Sequence, residues 1–216
     1  FFLRFNKKLQ NMSPDEFIDK ILSKLNIKYL MVGDDFKFGK ERSGDFDFLS
    51  DWGSNNQIEV DRIPTHSFEG RRVSSTWIRE SIADGNFDLA AKLLDRRYTF
   101  SGKVVFGNKV GRTIGVPTAN IWVPKSNLPI KGVYAVKALV KGETFNGIAN
   151  MGVRPTVGGT SPVLEIHIFD FNEEIYGCRI EVEFYQKIRN EKKFENLDKL
   201  KEQINLDIAE TRKYFS

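Results

Sequence analysis

At 216 residues, 40% of them hydrophobic, the chain is long enough for two small domains or one larger one with a real core. Its single cysteine, Cys178, excludes an intramolecular disulfide, no Cys or His spacing resembles a zinc site, and no run nears the roughly 18 apolar residues of a membrane span. The balance of 33 basic to 29 acidic residues gives +4, an excess that can steer small anions such as nucleotides but is too weak to argue a nucleic-acid partner.

The chain opens on FFLRFNKKLQNMSPDEF, without a methionine or an export signal, and reads like the middle of a domain from a reducing cytoplasm. Ser13-Pro14-Asp15-Glu16 predicts a helix start, with Ser13 as N-cap, Pro14 at the first helical position and Glu16 placed for a capping box. Phe17, Ile18, Ile21, Leu22 and Leu25 follow at helical spacing. Tyr29 to Val32 then predicts a short strand ending in Gly-Asp-Asp, and QIEVDRIP another. This is the rhythm of an α/β sheet, whose ligands gather at the carboxyl ends of strands, where Asp35 and Phe36 fall.

SSTWIRESIADGNFDLAAKLL predicts two short helices broken at Asp84-Gly85. Ser74 or Ser75 can cap the first, leaving its early N–H groups facing an anion with Arg79 one turn on. Past Arg97 come YTFSGKVVF, GVYAVKALV, FNGIANMG, VLEIHIFDF and CRIEVEFY, strand-like runs divided by Gly, Asn and Pro, which predict a small antiparallel barrel or sandwich. The last 20 residues return to helix, with Leu197, Leu200, Ile204 and Ile208 as one apolar stripe. The boundary is expected near residues 90–97.

Within the barrel half, GNKVGRTIGVPTAN combines Gly107, Gly111 and Gly115, whose backbone can approach and wrap a phosphate, with Thr118 and Asn120. The spacing is neither a Walker A loop nor a dinucleotide fingerprint. Thr118 and Asn120 stand two apart and present two neutral oxygens to one side of an extended segment, which suits Mg²⁺ already carrying triphosphate. In VLEIHIFDF, Leu164, Ile166 and Ile168 share one face and Glu165 and His167 the other, so an apolar face in the barrel turns Glu165 outward. NMGVRPTVGG, rich in Gly and Pro, predicts a mobile loop, and His167 is expected to be packed and hydrogen-bonded.

GxxxGRxxGxPTANI resembles the ATP- and Mg²⁺-binding signature of riboflavin kinases, and the match continues through GVYA, GIANMGVRPT, LEIHIFDF and IRNEKKFENLDKLKEQINLDI. VGDDFKFGKERSGD and VSSTWIRESIADGNFDLAAKLL resemble the adenylyltransferase domain of bacterial bifunctional riboflavin kinase/FAD synthetases. The resemblance covers nearly the whole chain. It implies a partial Rossmann-like nucleotidyltransferase domain over 1–92 and a small antiparallel β-barrel riboflavin kinase domain with a C-terminal helix over 93–216.

The resemblance further implies a cytoplasmic transferase that phosphorylates riboflavin to FMN with ATP and Mg²⁺, and adenylylates FMN to FAD in the full-length protein. Glu165 matches the catalytic base, and Thr118 and Asn120 the metal ligands. Gly107, Gly111, Arg112, Gly115 and Pro117 match the nucleotide loop, and Asn150, Arg154, Thr156 and Arg189 the flavin contacts. Asp35, Phe36, Ser75, Thr76 and Arg79 match the nucleotide and flavin contacts of the adenylyltransferase. The family's His-x-Gly-His motif belongs upstream of Phe1, so FMN without FAD is expected from these residues. No nucleic-acid or membrane partner is implied, and oligomeric state is left open. The alternative is a non-catalytic flavin- or RNA-binding barrel, against which basic and aromatic residues are not interleaved along a strand face.

Overall fold

A computed structural model describes residues 2–107, 111, 115–124, 128–156 and 159–216, with the side chains of 154–156 and 159–160 excepted. The chain divides into two compact units, Phe1–Val73 and Ser74–Ser216.

The first unit begins with α1 (Lys7–Gln10) and α2 (Pro14–Lys20). The capping box of α2 forms as its sequence dictates: the Glu16 amide donates to Ser13 Oγ at 3.1 Å and the Ser13 amide donates to Glu16 Oε2 at 3.2 Å. The apolar spacing runs on to Leu25, but the α-helix stops at Lys20 and a single 3₁₀ turn, Leu22–Lys24, replaces the rest. Ile21 leaves helical geometry, and Ser23 Oγ donates back to the Asp19 carbonyl at 2.5 Å, a side-chain bond that competes with the helical ladder.

Strand β1 (Tyr29–Gly33), helix α3 (Phe46–Asn55) and strand β2 (Glu59–Ile63) form a parallel β-α-β unit, with Tyr29 opposite Glu59 and Gly33 opposite Ile63. Ile18, Val32, Phe38 and Leu49 form its small core, where the Phe38 ring meets Phe17, Phe36 and Phe48 at centroid distances of 5.4, 5.7 and 5.9 Å. A short hairpin of β3 (Ser67–Phe68) and β4 (Arg71–Arg72) completes the unit.

In the second unit, α4 (Ser75–Ala83) and α5 (Phe87–Leu94) break at Asp84-Gly85 as predicted, with Gly85 at φ +80°. Six strands then close into an antiparallel barrel: β5 (Thr99–Val105), β6 (Ala119–Trp122), β7 (Gly132–Val140), β8 (Glu143–Thr156), β9 (Gly159–Ile168) and β10 (Arg179–Arg189). Their order around the barrel is β10-β5-β6-β9-β8-β7. Alternating residues point inward, so Val104, Ile121, Val136, Leu164, Ile166 and Val182 meet in one core. The C-terminal helix, Leu197–Phe215, covers the outward side chains Val133, Ile148 and Phe169 through Ile208.

The expected loop over Asn150–Thr156 is instead the continuation of β8, in register with β9 as far as Thr156 opposite Gly159. Glycine and proline here do not mark a break, because β9 supplies a backbone partner along the whole length. Gly152 serves close approach: a Cβ there would stand 2.4 Å from Glu191 Oε1.

Helix α5 is tied to the barrel by Phe87, only 1% exposed, which stacks on Phe184 at 5.8 Å and meets Tyr134 edge-on at 5.6 Å. Phe87→Ala is expected to lower the stability of this unit by about 3–5 kcal/mol, read from urea unfolding followed by circular dichroism; a loss below about 1 kcal/mol would mean that α5 is not part of this core.

Candidate active site

Strand β9 places the central acid. Leu164 and Ile166 are fully buried in the barrel, so the two-residue period turns Glu165 and His167 to the outer face. Glu165 pairs in register with Asn120 on β6 at one side and with Asn150 on β8 at the other. Directly opposed residues have Cβ atoms about 4.5–5.5 Å apart on the same face, so Asn120, Glu165 and Asn150 form a row across three strands. Asn120 is 5% exposed, while Glu165 and Asn150 are half-buried.

A cavity of about 280 Å³ opens over Glu165 and Asn150 of this row, and Gly111, Thr118, His167 and Arg189 also line it. Its far wall is the C-terminal helix, through Leu200, Ile204 and Asp207. Thr118 also lines a neighbouring cavity of about 140 Å³, together with Pro117, Ile175 and Tyr176. His167 is held as expected: its Nδ1 lies 2.8 Å from the Pro117 carbonyl oxygen, which can only accept, and its ring meets Phe169 edge-on.

Two glycines of the GNKVGRTIGVPTAN stretch are required by contact. A Cβ on Gly107 would come within 2.5 Å of all three terminal amide atoms of Asn120. One on Gly111 would stand 2.3 Å from the Val116 carbonyl oxygen and 3.3 Å from Thr118 Oγ1. Gly115 takes φ +81°, a backbone conformation that side chains disfavour. Arg112 lies outside the described residues, as do the side chains of Arg154 and Thr156.

Arg189, at the end of β10, is fixed by a carboxylate that the sequence reading passed over. Its Nε donates to both carboxylate oxygens of Asp207, at 3.0 and 2.9 Å, and its Nη2 lies 2.8 Å from Oδ2. Gln203 Nε2 donates to Asp207 Oδ1 at 2.9 Å, and Arg189 Nη1 donates to the Asn190 carbonyl at 3.0 Å. Asp207 is 3% exposed, so its charge depends on these partners. The signal was present: Leu200, Ile204, Asp207 and Thr211 share one helix face, and a carboxylate within an apolar stripe needs a cation opposite it. The expected stripe is thus mixed, with Asp207 and Thr211 buried and Leu197 exposed.

Asp35 and Phe36 stand at the carboxyl end of β1, as predicted. Asp35 is exposed and pairs with Arg72 at 2.7 Å, and Phe36 packs into the small core. The neighbouring Asp34 accepts from the Thr65 hydroxyl and, at 3.1 Å, from its amide; the Thr65 hydroxyl above all holds this carboxyl below the usual carboxylate range. Ser74, not Ser75, is the cap of α4, its Oγ accepting from the Trp77 amide at 3.2 Å. Ser75, Thr76 and Arg79 are exposed on that helix, in the second compact unit, whereas Asp35 and Phe36 belong to the first.

Comparison with known proteins gives the family. A riboflavin kinase family model matches residues 94–215, and an FAD synthetase model residues 1–77. The bifunctional riboflavin kinase/FMN adenylyltransferase of Haemophilus influenzae is 46% identical over 215 residues, covering 99% of this chain and 70% of that protein. The chain belongs to the bifunctional riboflavin kinase/FMN adenylyltransferase family.

The Pseudomonas fluorescens member of this family is 44% identical over 212 residues, with 97% of this chain and 68% of that protein covered. The crystal structure of a macrolide-efflux protein from Streptococcus pneumoniae matches with TM-score 0.78 and 34% identity, over 97% of this chain and 68% of that one. Among the described residues no helix is long and apolar enough to cross a membrane.

Asp207→Ala leaves the Arg189 charge without its main partner in a half-buried position. A loss of about 3–5 kcal/mol in urea unfolding is expected, with Asp207→Asn losing less; an Asp207→Ala loss under about 1 kcal/mol would contradict a structural pair.

Proposed function

We propose that this chain transfers the γ-phosphoryl group of ATP to the 5′-hydroxyl of riboflavin, giving FMN and ADP, and that Glu165 accepts the hydroxyl proton. The observation that carries this reading is the row Asn120, Glu165, Asn150 beneath a cavity that Thr118 also lines. Phosphoryl transfer asks little covalent chemistry of a protein. It needs aligned substrates, a proton acceptor within reach of the attacking hydroxyl, and cations near the phosphates. Asn150 and Arg189 are assigned to the flavin side of the larger cavity, with Arg154 and Thr156 as further flavin contacts. Gly107, Gly111, Arg112, Gly115 and Pro117 are assigned to the ATP side, with Gly111 lining the larger cavity and Pro117 the smaller. The Asp207 carboxylate keeps Arg189 turned to the site before any ligand arrives, which lowers the ordering cost of binding.

The fit for Mg²⁺ rests on the donor set. Thr118 and Asn120 offer neutral oxygens, and Gly107 and Gly111 let the backbone pack closely against them, since a Cβ on Gly107 would strike the Asn120 amide and one on Gly111 would stand 3.3 Å from Thr118 Oγ1. Among the described residues no group of three or more His, Cys, Asp or Glu could hold a metal alone, so a cation here depends on oxygens from the nucleotide. When bound, Mg²⁺ neutralises charge on the β- and γ-phosphates.

We take the kinase module to begin near residue 93, a boundary that the family match from residue 94 supports. For the front part we infer AMP transfer to FMN in a chain that carries the His-x-Gly-His segment, with Asp35 and Phe36 as candidate contacts in the first unit and Ser75, Thr76 and Arg79 as candidate contacts in the second. A cytoplasmic enzyme of small-molecule substrates follows from its use of ATP. A non-catalytic barrel would leave the Glu165 row without a purpose.

Glu165→Gln is expected to keep the fold and riboflavin binding while lowering kcat by about 10²–10⁴-fold, the range for losing a general base. Turnover is read by separating FMN from riboflavin; wild-type kcat in the variant would remove Glu165 from the reaction.

A further inference from the structure

The largest of the described cavities, about 880 Å³, has no part in the chemistry above. It lies wholly within the second compact unit, beside the end of β10. Four lysines reach its lining: Lys131, Lys187, Lys192 and Lys193. Among the described residues the single lining carboxylate is Glu191, 3.7 Å from Lys131 Nζ, so the described wall carries four positive charges against one negative. Lys187, Lys192 and Lys193 have no carboxylate partner among the described residues. Between the lysines the lining is apolar, from Leu128, Pro129, Ile130 and Val153. A cavity of this size with several uncompensated ammonium groups on apolar walls suits a ligand with a flat hydrophobic body and a phosphate.

Position narrows the ligand further. Glu191 and Lys192 line both this cavity and the one over Glu165, so the two are neighbours across the short segment that follows β10. The cavity over Glu165 carries three acids, Glu165, Asp207 and Glu191, against Arg189 and Lys192, with Asp207 taken up by Arg189. Phosphorylation of riboflavin turns a neutral alcohol into a dianion beside Glu165, and the lysine-walled cavity is the adjacent, more strongly basic place. We propose that this cavity is a second binding site, selective for the phosphorylated flavin product, FMN, over riboflavin. The proposal rests on the riboflavin kinase reading for the identity of its ligand.

The test is resolved by residue. The chain is acetylated briefly with an amine-reactive ester, alone and with FMN, riboflavin, AMP or inorganic phosphate, and each lysine is read by mass spectrometry. With FMN at about ten times its Kd, modification of Lys131, Lys187 and Lys193 is expected to slow about tenfold, and riboflavin is expected to leave all three unchanged. No protection by FMN overturns the site; equal protection by riboflavin overturns the role of the phosphate, and equal protection by AMP or phosphate overturns the role of the flavin. The double variant Lys187→Glu, Lys193→Glu is expected to lose that protection of Lys131 and to bind FMN there at least about tenfold more weakly, with initial-rate kcat and the riboflavin KM unchanged. Protection that survives the double charge reversal also overturns the proposal. Failure of the kinase reading appears separately, as absence of FMN formation by the wild-type chain.

Discussion

The alternation of β9 is the constraint on which the site depends. A barrel of six strands closes only if each strand sends every second side chain inward, and Leu164 and Ile166 are fully buried in that interior. The residue between them therefore has no choice of face. Glu165 must stand outside, and the registers with β6 and β8 put an asparagine on either side of it. A slip of one residue in β9 would bury the carboxylate and expose the core, so the packing energy of the barrel is also what aims Glu165, the proposed base.

A second tie closes the far side. The outer face of a small barrel is apolar here, through Val133, Ile148 and Phe169, and the C-terminal helix covers it. Hydrophobic contact alone would leave that helix free to slide. The Asp207–Arg189 pair fixes it, because a carboxylate this buried tolerates one geometry in which its oxygens are satisfied. The same pair holds Arg189 at the cavity, so the element that stabilises the helix also positions a proposed ligand contact.

Most of the architecture was legible in the sequence because its period was clean. Strand alternation at Leu164–Ile168 and the cap and break residues at Ser13 and Asp84-Gly85 each translate directly into backbone geometry. The misreadings arose where tertiary pairing overrode a local signal. Gly152 and Pro155 look like breakers, yet β9 lies alongside and holds the chain extended through Thr156. Ile21 to Leu25 keep helical spacing, yet a serine back-bond diverts the turn. Asp207 was missed because the stripe was read for its apolar members alone, and its partner lies 18 residues away on another element.

The central claim is phosphoryl transfer between a nucleotide and a flavin brought together beside Glu165. The most direct measurement supplies the 216-residue chain with riboflavin, ATP and Mg²⁺ and follows flavin and adenine nucleotides together by chromatography. The account predicts FMN and ADP appearing in equal amounts, with no ADP when riboflavin is left out. ADP formed without riboflavin, or riboflavin bound and returned unchanged, would contradict it.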